Sequence, residues 1–235
     1  MKAMILAAGR GERMRPLTDT IPKPLLQVAG KSLIEYHIEA LVKAGITELV
    51  INHAWLGEQI EAQLGDGTRY GASILYSREG GQVLETAGGI RNALDLLGSE
   101  PFIVVNGDVF TDYPFAKLHN LSTDFSSAKN TAHLVLVPNP EQKPEGDFYC
   151  RSQQISDQDD PSNGQRFTFS GIALYQPDFF HDMSAGKYPL APMLRAAMAK
   201  QQVSGEIYNG IWWDIGTPER LEEISGKWEE RAPPT

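Results

Sequence analysis

The chain has one cysteine, Cys150, in 235 residues, so no disulfide can close within it and no thiol pair is available for a structural zinc site. It also lacks a basic excess. Its 21 Lys and Arg stand against 30 Asp and Glu, a net charge of −9, which argues against nucleic acid or an anionic membrane as the main partner. No apolar run approaches the ~20 residues that span a bilayer, and the N-terminal run from Ala3 to Ala8 gives out at Gly9 and Arg10, too short for a signal-peptide core. A cytoplasmic location is therefore expected. His37, His53, His119, His133 and His181 show neither metal-ligand spacing nor a Ser-His-Asp order, so each reads as a structural or surface residue. There is no internal repeat, heptad run or low-complexity segment.

Against this acidic background, residues 6–26 stand out. Ala7, Ala8, Gly9 and Gly11 form a small-residue turn, followed by Glu12 and flanked by four cations, Arg10, Arg13, Arg15 and Lys23. Backbone N–H groups can approach an anion there without Cβ obstruction, and the cations supply compensating charge, the composition of a triphosphate cradle. The turn is not a dinucleotide fingerprint, because Met14 stands where the third glycine belongs. Nor is Gly30-Lys31-Ser32 a Walker loop, since Leu25 holds the place of its first glycine.

The surrounding pattern alternates strands and helices. Lys2 to Leu6 reads as a buried strand that delivers the turn to its carboxyl end, where ligands bind in open α/β sheets. A helix over 32–44, capped by Ser32 with Glu35, is followed by strands at 48–52 and 73–76 and helices at 56–64 and 88–97. The apolar run 102–105 predicts a parallel strand buried on both faces, ending in Asn106-Gly107-Asp108. Beyond residue 115, strands are expected at 133–137, 167–175 and 212–215 and helices at 189–200 and 218–230, with loop and short strands over 138–165. One domain over 1–235 is expected, with a frayed tail at Pro233 to Thr235.

The front segment Leu6-Ala-Ala-Gly9-Arg-Gly11-Glu-Arg13-Met-Arg15-Pro-Leu-Thr, with Pro22-Lys23-Pro-Leu after it, resembles the signature of the sugar-1-phosphate nucleotidyltransferase family. The resemblance implies a Rossmann-like (GT-A-like) α/β three-layer sandwich with a mixed, mostly parallel sheet. Residues 1–115 would form its nucleotide-binding half and 116–235 its sugar-binding half. It further implies that the turn of Ala7, Ala8, Gly9 and Gly11 grips the nucleotide phosphates, that Glu12 is among the nucleotide-binding residues, that Arg13 and Lys23 are catalytic cations that also bind the nucleotide, and that Asp108 and Asp214 bind Mg2+.

Leu84-Glu85-Thr86-Ala-Gly88-Gly89 looks like the family segment beside the nucleobase, which places Thr86 and Gly88 at the nucleotide and Glu79 within reach of the base N3–H. Glu85 departs from the usual small residue or glutamine and is assigned to the sugar. With Trp55 and Trp212-Trp213-Asp214-Ile-Gly-Thr217, that departure is similar to a branch of short uridylyltransferases acting on N-acetylmuramate α-1-phosphate in bacterial cell-wall recycling. Gly146, Asp147, Ser170 and Gly171 resemble sugar-contacting positions, and Asn106 would orient the sugar. Where better-known members have Glu-Lys-Pro, this chain has Asp159, Asp160 and Pro161. Asp159 can replace the Glu, but Asp160 stands in the place of the lysine that binds the sugar phosphate.

The implied reaction is attack of a sugar 1-phosphate on the α-phosphorus of UTP, giving UDP-sugar and pyrophosphate. The nucleophile is already anionic, so no histidine base is needed, and catalysis reduces to positioning and charge neutralisation. Mannose-1-phosphate guanylyl transfer and a silent sugar-nucleotide-binding regulatory subunit are the alternatives. Arg151 and Arg195 are candidates for the carboxylate of a muramyl substrate, and a monomer is expected.

Overall fold

The computed structural model describes residues 1–80, 83–125, 129–159 and 164–229. Its first half comprises β1 (Ala3–Leu6), β2 (Gln27–Val28), β3 (Lys31–Ser32), α1 (Leu33–Lys43), β4 (Glu48–His53), α2 (Gly57–Leu64), β5 (Ser73–Arg78), α3 (Glu85–Leu97), β6 (Phe102–Asn106) and β7 (Val109–Thr111). The second half comprises α4 (Ala116–Phe125), β8 (Ala132–Val137), β9 (Phe148–Arg151), β10 (Gln154–Ser156), β11 (Arg166–Tyr175), α5 (Leu190–Ala199), β12 (Val203–Ile207), β13 (Trp212–Asp214) and α6 (Pro218–Glu229).

Nine strands form one sheet in the order β5-β4-β1-β6-β11-β8-β12-β10-β9. The block β5-β4-β1-β6 is parallel throughout. After it β11 runs antiparallel to both β6 and β8, and β12 returns parallel to β8. The 102–105 strand thus has a parallel neighbour on one side and an antiparallel one on the other, a mixed setting that its continuous apolar run does not distinguish from a wholly parallel one.

Side chains of β1 alternate between faces: Ala3 and Ile5 pack with Ile34, Ile38, Leu41, Ile60, Leu64 and Leu118, whereas Met4 packs with Ile90, Leu94, Leu97, Leu190 and Leu194. Helices α1, α2 and α4 therefore cover one face and α3 and α5 the other, a three-layer sandwich. A smaller core of Met14, Leu33, Phe110, Ile215 and Ile224 fastens α6 and the β7/β13 pair beside it.

Local chemistry explains the boundaries. The Glu35 carboxylate accepts from the backbone N–H of Ser32 at 3.2 Å and from its hydroxyl at 2.5 Å, starting α1 as expected, and Gly45 at φ +81° ends it. Helix α3 starts three residues before the expected Gly88, because Gly88 and Gly89 are helical residues chosen for close approach rather than helix breakers. The sequence reading missed α4 and β12. Helix α4 is polar apart from Leu118, Leu121 and Phe125, and β12 carries Gly205 in its middle, where a Cβ would stand 2.5 Å from the Leu134 carbonyl oxygen.

The sheet register places Leu6 beside both Asn52 and Asn106. Three parallel strands thus end at one edge, and the small-residue turn leaves from the middle one.

Candidate active site

The turn after β1 is held by Asn52 at the end of β4, the strand beside it. Asn52 Oδ1 accepts the Ala7 N–H at 3.0 Å, and Asn52 Nδ2 donates to Glu79 Oε1 at 2.6 Å. Glu79 Oε2 in turn accepts the Leu84 N–H at 2.9 Å, which ties the start of α3 to the same network. Gly89 makes room for it: a Cβ there would lie 2.6 Å from Glu79 Oε1. Asn52 was missed by the sequence reading, although a polar residue closing an otherwise buried strand, as Asn106 does, is a usable signal. Ala7, Ala8, Gly9, Lys23, Glu79, Glu85 and Thr86 line a cavity of about 190 Å³ above this network.

The four cations divide. Lys23, buried at its base, places Nζ 2.5 Å from Asp108 Oδ2 in the first cavity, and Arg13 lines a second, adjoining cavity of about 480 Å³. Arg15 turns out to Asp19 at 2.7 Å, and Arg10 lies over the Trp55 ring at 4.5 Å with Glu12 at 3.1 Å. Gly11 and Glu12 line neither cavity. Gly11, at φ +69°, leaves no room for a Cβ except within 3.0 Å of a Thr18 methyl and 3.2 Å of Lys23 Cβ, and accepts the Thr18 hydroxyl at its carbonyl at 2.8 Å, so it shapes the turn that aims Lys23.

Strand β6 hands the chain through Asn106-Gly107-Asp108 into β7, where β13 pairs alongside with Asp214 opposite Val109, and the Ile215 N–H donates to the Asp108 carbonyl at 3.0 Å. The two aspartates, 106 residues apart in sequence, are thereby neighbours lining the second cavity. Asp214 Oδ2 is paired with Arg220 at 2.8 Å, as Asp108 Oδ2 is with Lys23. Among the described residues the Oδ1 atom of each carboxylate has no partner, and no cluster of three or more Asp, Glu, His or Cys converges anywhere. Two hard oxygen donors with open positions between them suit magnesium, which keeps several waters and takes phosphate oxygens rather than a full protein cage.

Asn106 and Asp108 line both cavities. Asn106 requires Gly171, which is at φ +78° and would bring a Cβ within 2.6 Å of Asn106 Nδ2. Ser170 lines the second cavity, yet its hydroxyl donates to the Val135 carbonyl at 2.7 Å and accepts the Ile172 N–H at 3.1 Å, while its own carbonyl receives Trp212 Nε1 at 2.9 Å.

Other expected site residues lie elsewhere. Asp147 stands behind the second cavity, accepting the Phe169 N–H at 2.9 Å and Lys143 Nζ at 2.5 Å, and Gly146 packs on Asn139. Asp159 accepts the Tyr149 hydroxyl and lines neither cavity, and Asp160 lies outside the described residues. Glu85, assigned to the sugar, lines the first cavity instead, with Lys187 at 3.4 Å. Gly88 is packed beneath residues 186–188: its N–H donates to the Tyr188 carbonyl at 3.2 Å, and a Cβ would meet Gly186 O at 2.3 Å. Arg195 pairs with Asp157 at 2.7 Å, away from both cavities. Lys143, which sequence reasoning passed over for want of any motif around it, lines the second cavity.

No histidine lines either cavity. Burial pushes the His37 imidazole down to about 4, His53 binds Glu61 at 2.6 Å, His119 binds the Ala44 carbonyl at 2.8 Å, and His133 binds Ser204 at 2.9 Å. The site thus offers charge and orientation rather than a general base.

The "Nucleotidyl transferase" family model matches residues 2–231. The chain is 52% identical to an N-acetylmuramate alpha-1-phosphate uridylyltransferase of Neisseria meningitidis over 233 residues, 97% of this chain and 100% of that one. A protein of the same name from Caulobacter vibrioides is 31% identical, over 92% of each chain. In fold, the chain is similar to a crystal structure from Bacillus anthracis assigned as a glucose-1-phosphate thymidylyltransferase, with a TM-score of 0.83 and 20% identity, covering 100% of this chain and 98% of that one.

Proposed function

The chain belongs to the nucleotidyl transferase family, and from that premise we propose that it transfers UMP from UTP to N-acetylmuramate α-1-phosphate, releasing pyrophosphate and forming the UDP-sugar. The observation that carries this reading is the meeting of two cavities at Asn106 and Asp108, with Asp214 beside Asp108 in the second. Such a layout brings two anionic substrates end to end. The choice of uridylyl and muramyl groups follows the relative at 52% identity.

In this mechanism UTP occupies the first cavity with its base toward Glu79 and Thr86 and its phosphates over Ala8 and Gly9. The Ala7 N–H is already committed to Asn52, so Ala7 contributes a fixed backbone rather than a donor. Asp108 and Asp214 are the residues that would hold magnesium, which when bound supplies charge neutralisation at the α-phosphate. Lys23 is placed to pass from Asp108 to the phosphates, and Arg13 reaches them from the second cavity. Asn106 orients the sugar phosphate so that its anionic oxygen attacks in line, with no proton to remove. Effective molarity and preorganised charge therefore account for the acceleration.

We assign Asp147, Gly146 and Gly171 to shaping the sugar cavity rather than to direct contact, and Glu85 to the nucleotide side. The enzyme is proposed to work as a single catalytic domain and a monomer, in the cytoplasm, in cell-wall recycling. Among the described residues no helix is long and apolar enough to cross a membrane.

A pyrophosphate-release panel crossing UTP, dTTP, GTP and CTP with the 1-phosphates of N-acetylmuramate, N-acetylglucosamine, glucose and mannose tests the assignment. Release with UTP and N-acetylmuramate 1-phosphate above every other pair is expected. Preference for GTP with mannose 1-phosphate would replace it with guanylyl transfer.

A further inference from the structure

N-acetylmuramate differs from N-acetylglucosamine by a lactyl ether that ends in a carboxylate, so an enzyme that selects it gains from a cation or backbone donors at the sugar end of its site, and a cation is the group a charge-based preference would use. The second cavity holds three, Arg13, Lys143 and Arg220. Arg220 is bound to Asp214 through Nη1, and Arg13 reaches toward Gly216, two residues beyond Asp214, where an added Cβ would lie 3.3 Å from its Nη1. Both belong to the phosphate end of the site. Lys143 is placed differently. Its loop, 138–147, leaves the carboxyl end of β8, which runs parallel to β6 and is separated from it by β11 alone. Two strand spacings put the root of that loop about 10 Å along the sheet edge from the β6 end that carries Asp108.

Lys143 is also positioned rather than free. Its Nζ lies 2.5 Å from Asp147 Oδ1, and the other oxygen of Asp147 accepts the Phe169 N–H at 2.9 Å, so the carboxylate is anchored to the backbone of β11 and fixes the ammonium in turn. An ammonium has three donors, and one bond to Asp147 leaves two for a ligand. Glu145 lines the same cavity and would repel a carboxylate, which makes a fixed cation there more consequential for an acidic sugar than for a neutral one.

Resting on the uridylyl-transfer reading above, we infer that Lys143, oriented by Asp147, is the residue that recognises the lactyl carboxylate and so sets the preference for the acidic amino sugar. It is a specificity residue, distinct from the sugar-phosphate lysine whose place in the sequence is taken by Asp160.

The test compares kcat/KM for N-acetylmuramate 1-phosphate and N-acetylglucosamine 1-phosphate in the wild type, Lys143→Gln and Lys143→Arg, with melting temperatures as a folding control. The preference of the wild type for the acidic sugar should fall about 10- to 100-fold in Lys143→Gln, the scale of one charge-assisted hydrogen bond, and most of it should return in Lys143→Arg. Because both sugars carry the phosphate and share the ring, a role in binding phosphate or in merely supporting the loop would weaken both alike and leave the ratio unchanged. An unchanged ratio overturns the assignment. A wild type that does not turn over N-acetylmuramate 1-phosphate overturns the functional reading itself, and this assignment with it.

Discussion

Replacing Lys23 by Met keeps most of the aliphatic stem that packs against Gly11 and removes only the charge beside Asp108. Two effects can be separated by size. The pair is close, at 2.5 Å, but the Asp108 side chain is 34% exposed, so water can solvate the carboxylate once the ammonium is gone. An ion pair so screened contributes about 1 kcal/mol at most to folding, and for a chain of this length that is a fall of about 2–4 °C in melting temperature. In the proposed reaction the same ammonium faces charge developing on a triphosphate in a cavity from which much water would be displaced. Losing one preorganised donor of that kind costs about 100- to 1000-fold in kcat, or about 3–4 kcal/mol. Steady-state pyrophosphate release and a thermal melt on the same preparation check both numbers. A kcat within threefold of the wild type would remove Lys23 from the chemistry, and a melting temperature lowered by 10 °C or more would show that its role is structural.

Replacing Asn52 by Ala leaves the Ala7 N–H and Glu79 Oε1 without the partners they have in a buried setting; thermal unfolding should register a loss of about 1–3 kcal/mol, and the KM for UTP should rise more than that for the sugar phosphate. A KM for UTP that stays put while stability falls would confine Asn52 to the fold. The acid limb of stability should carry a contribution from Glu61, whose carboxyl is held down to about 2 from 4.5, chiefly by its hydrogen bonds from Arg78 at 2.6 and 2.7 Å. A depressed carboxyl stabilises fully above its unfolded pKa, and that stabilisation fades as the pH drops from about 4.5 through about 2. Glu61→Gln should therefore lower the urea midpoint at pH 7 by the equivalent of about 1 kcal/mol and by less at pH 3; an equal loss at both would contradict the ionic origin.

Much of the first half was legible because its signals are local. The apolar runs ending at Leu6 and Asn106 mark two strand ends, and the small-residue turn with Lys23 marks what sits between them. Asp214 could be placed only through the family resemblance, since its proximity to Asp108 depends on β13 pairing with β7 across 106 residues. Glycines were the least readable. Gly11, Gly88 and Gly171 read in sequence as ligand contacts, and each also has a structural reason to be glycine: a Cβ at Gly88 or Gly171 would collide with Gly186 or Asn106, and Gly11 sits at a left-handed φ of +69°. Arg10 and Arg15 show the converse: a run of cations in sequence says nothing about which ones turn to surface acids. Lys143 left no motif, because its role depends on where β8 ends rather than on its neighbours in the chain.

The central claim is that the Asp108/Asp214 junction joins UMP to N-acetylmuramate α-1-phosphate. It is tested most directly by incubating the protein with α-labelled UTP, magnesium and that sugar phosphate, beside an Asp108→Asn variant shown by its melt to be folded. The account predicts label in UDP-N-acetylmuramate, one equivalent for each pyrophosphate released, and none with the variant. Pyrophosphate without labelled UDP-sugar, or full activity in Asp108→Asn, would contradict it.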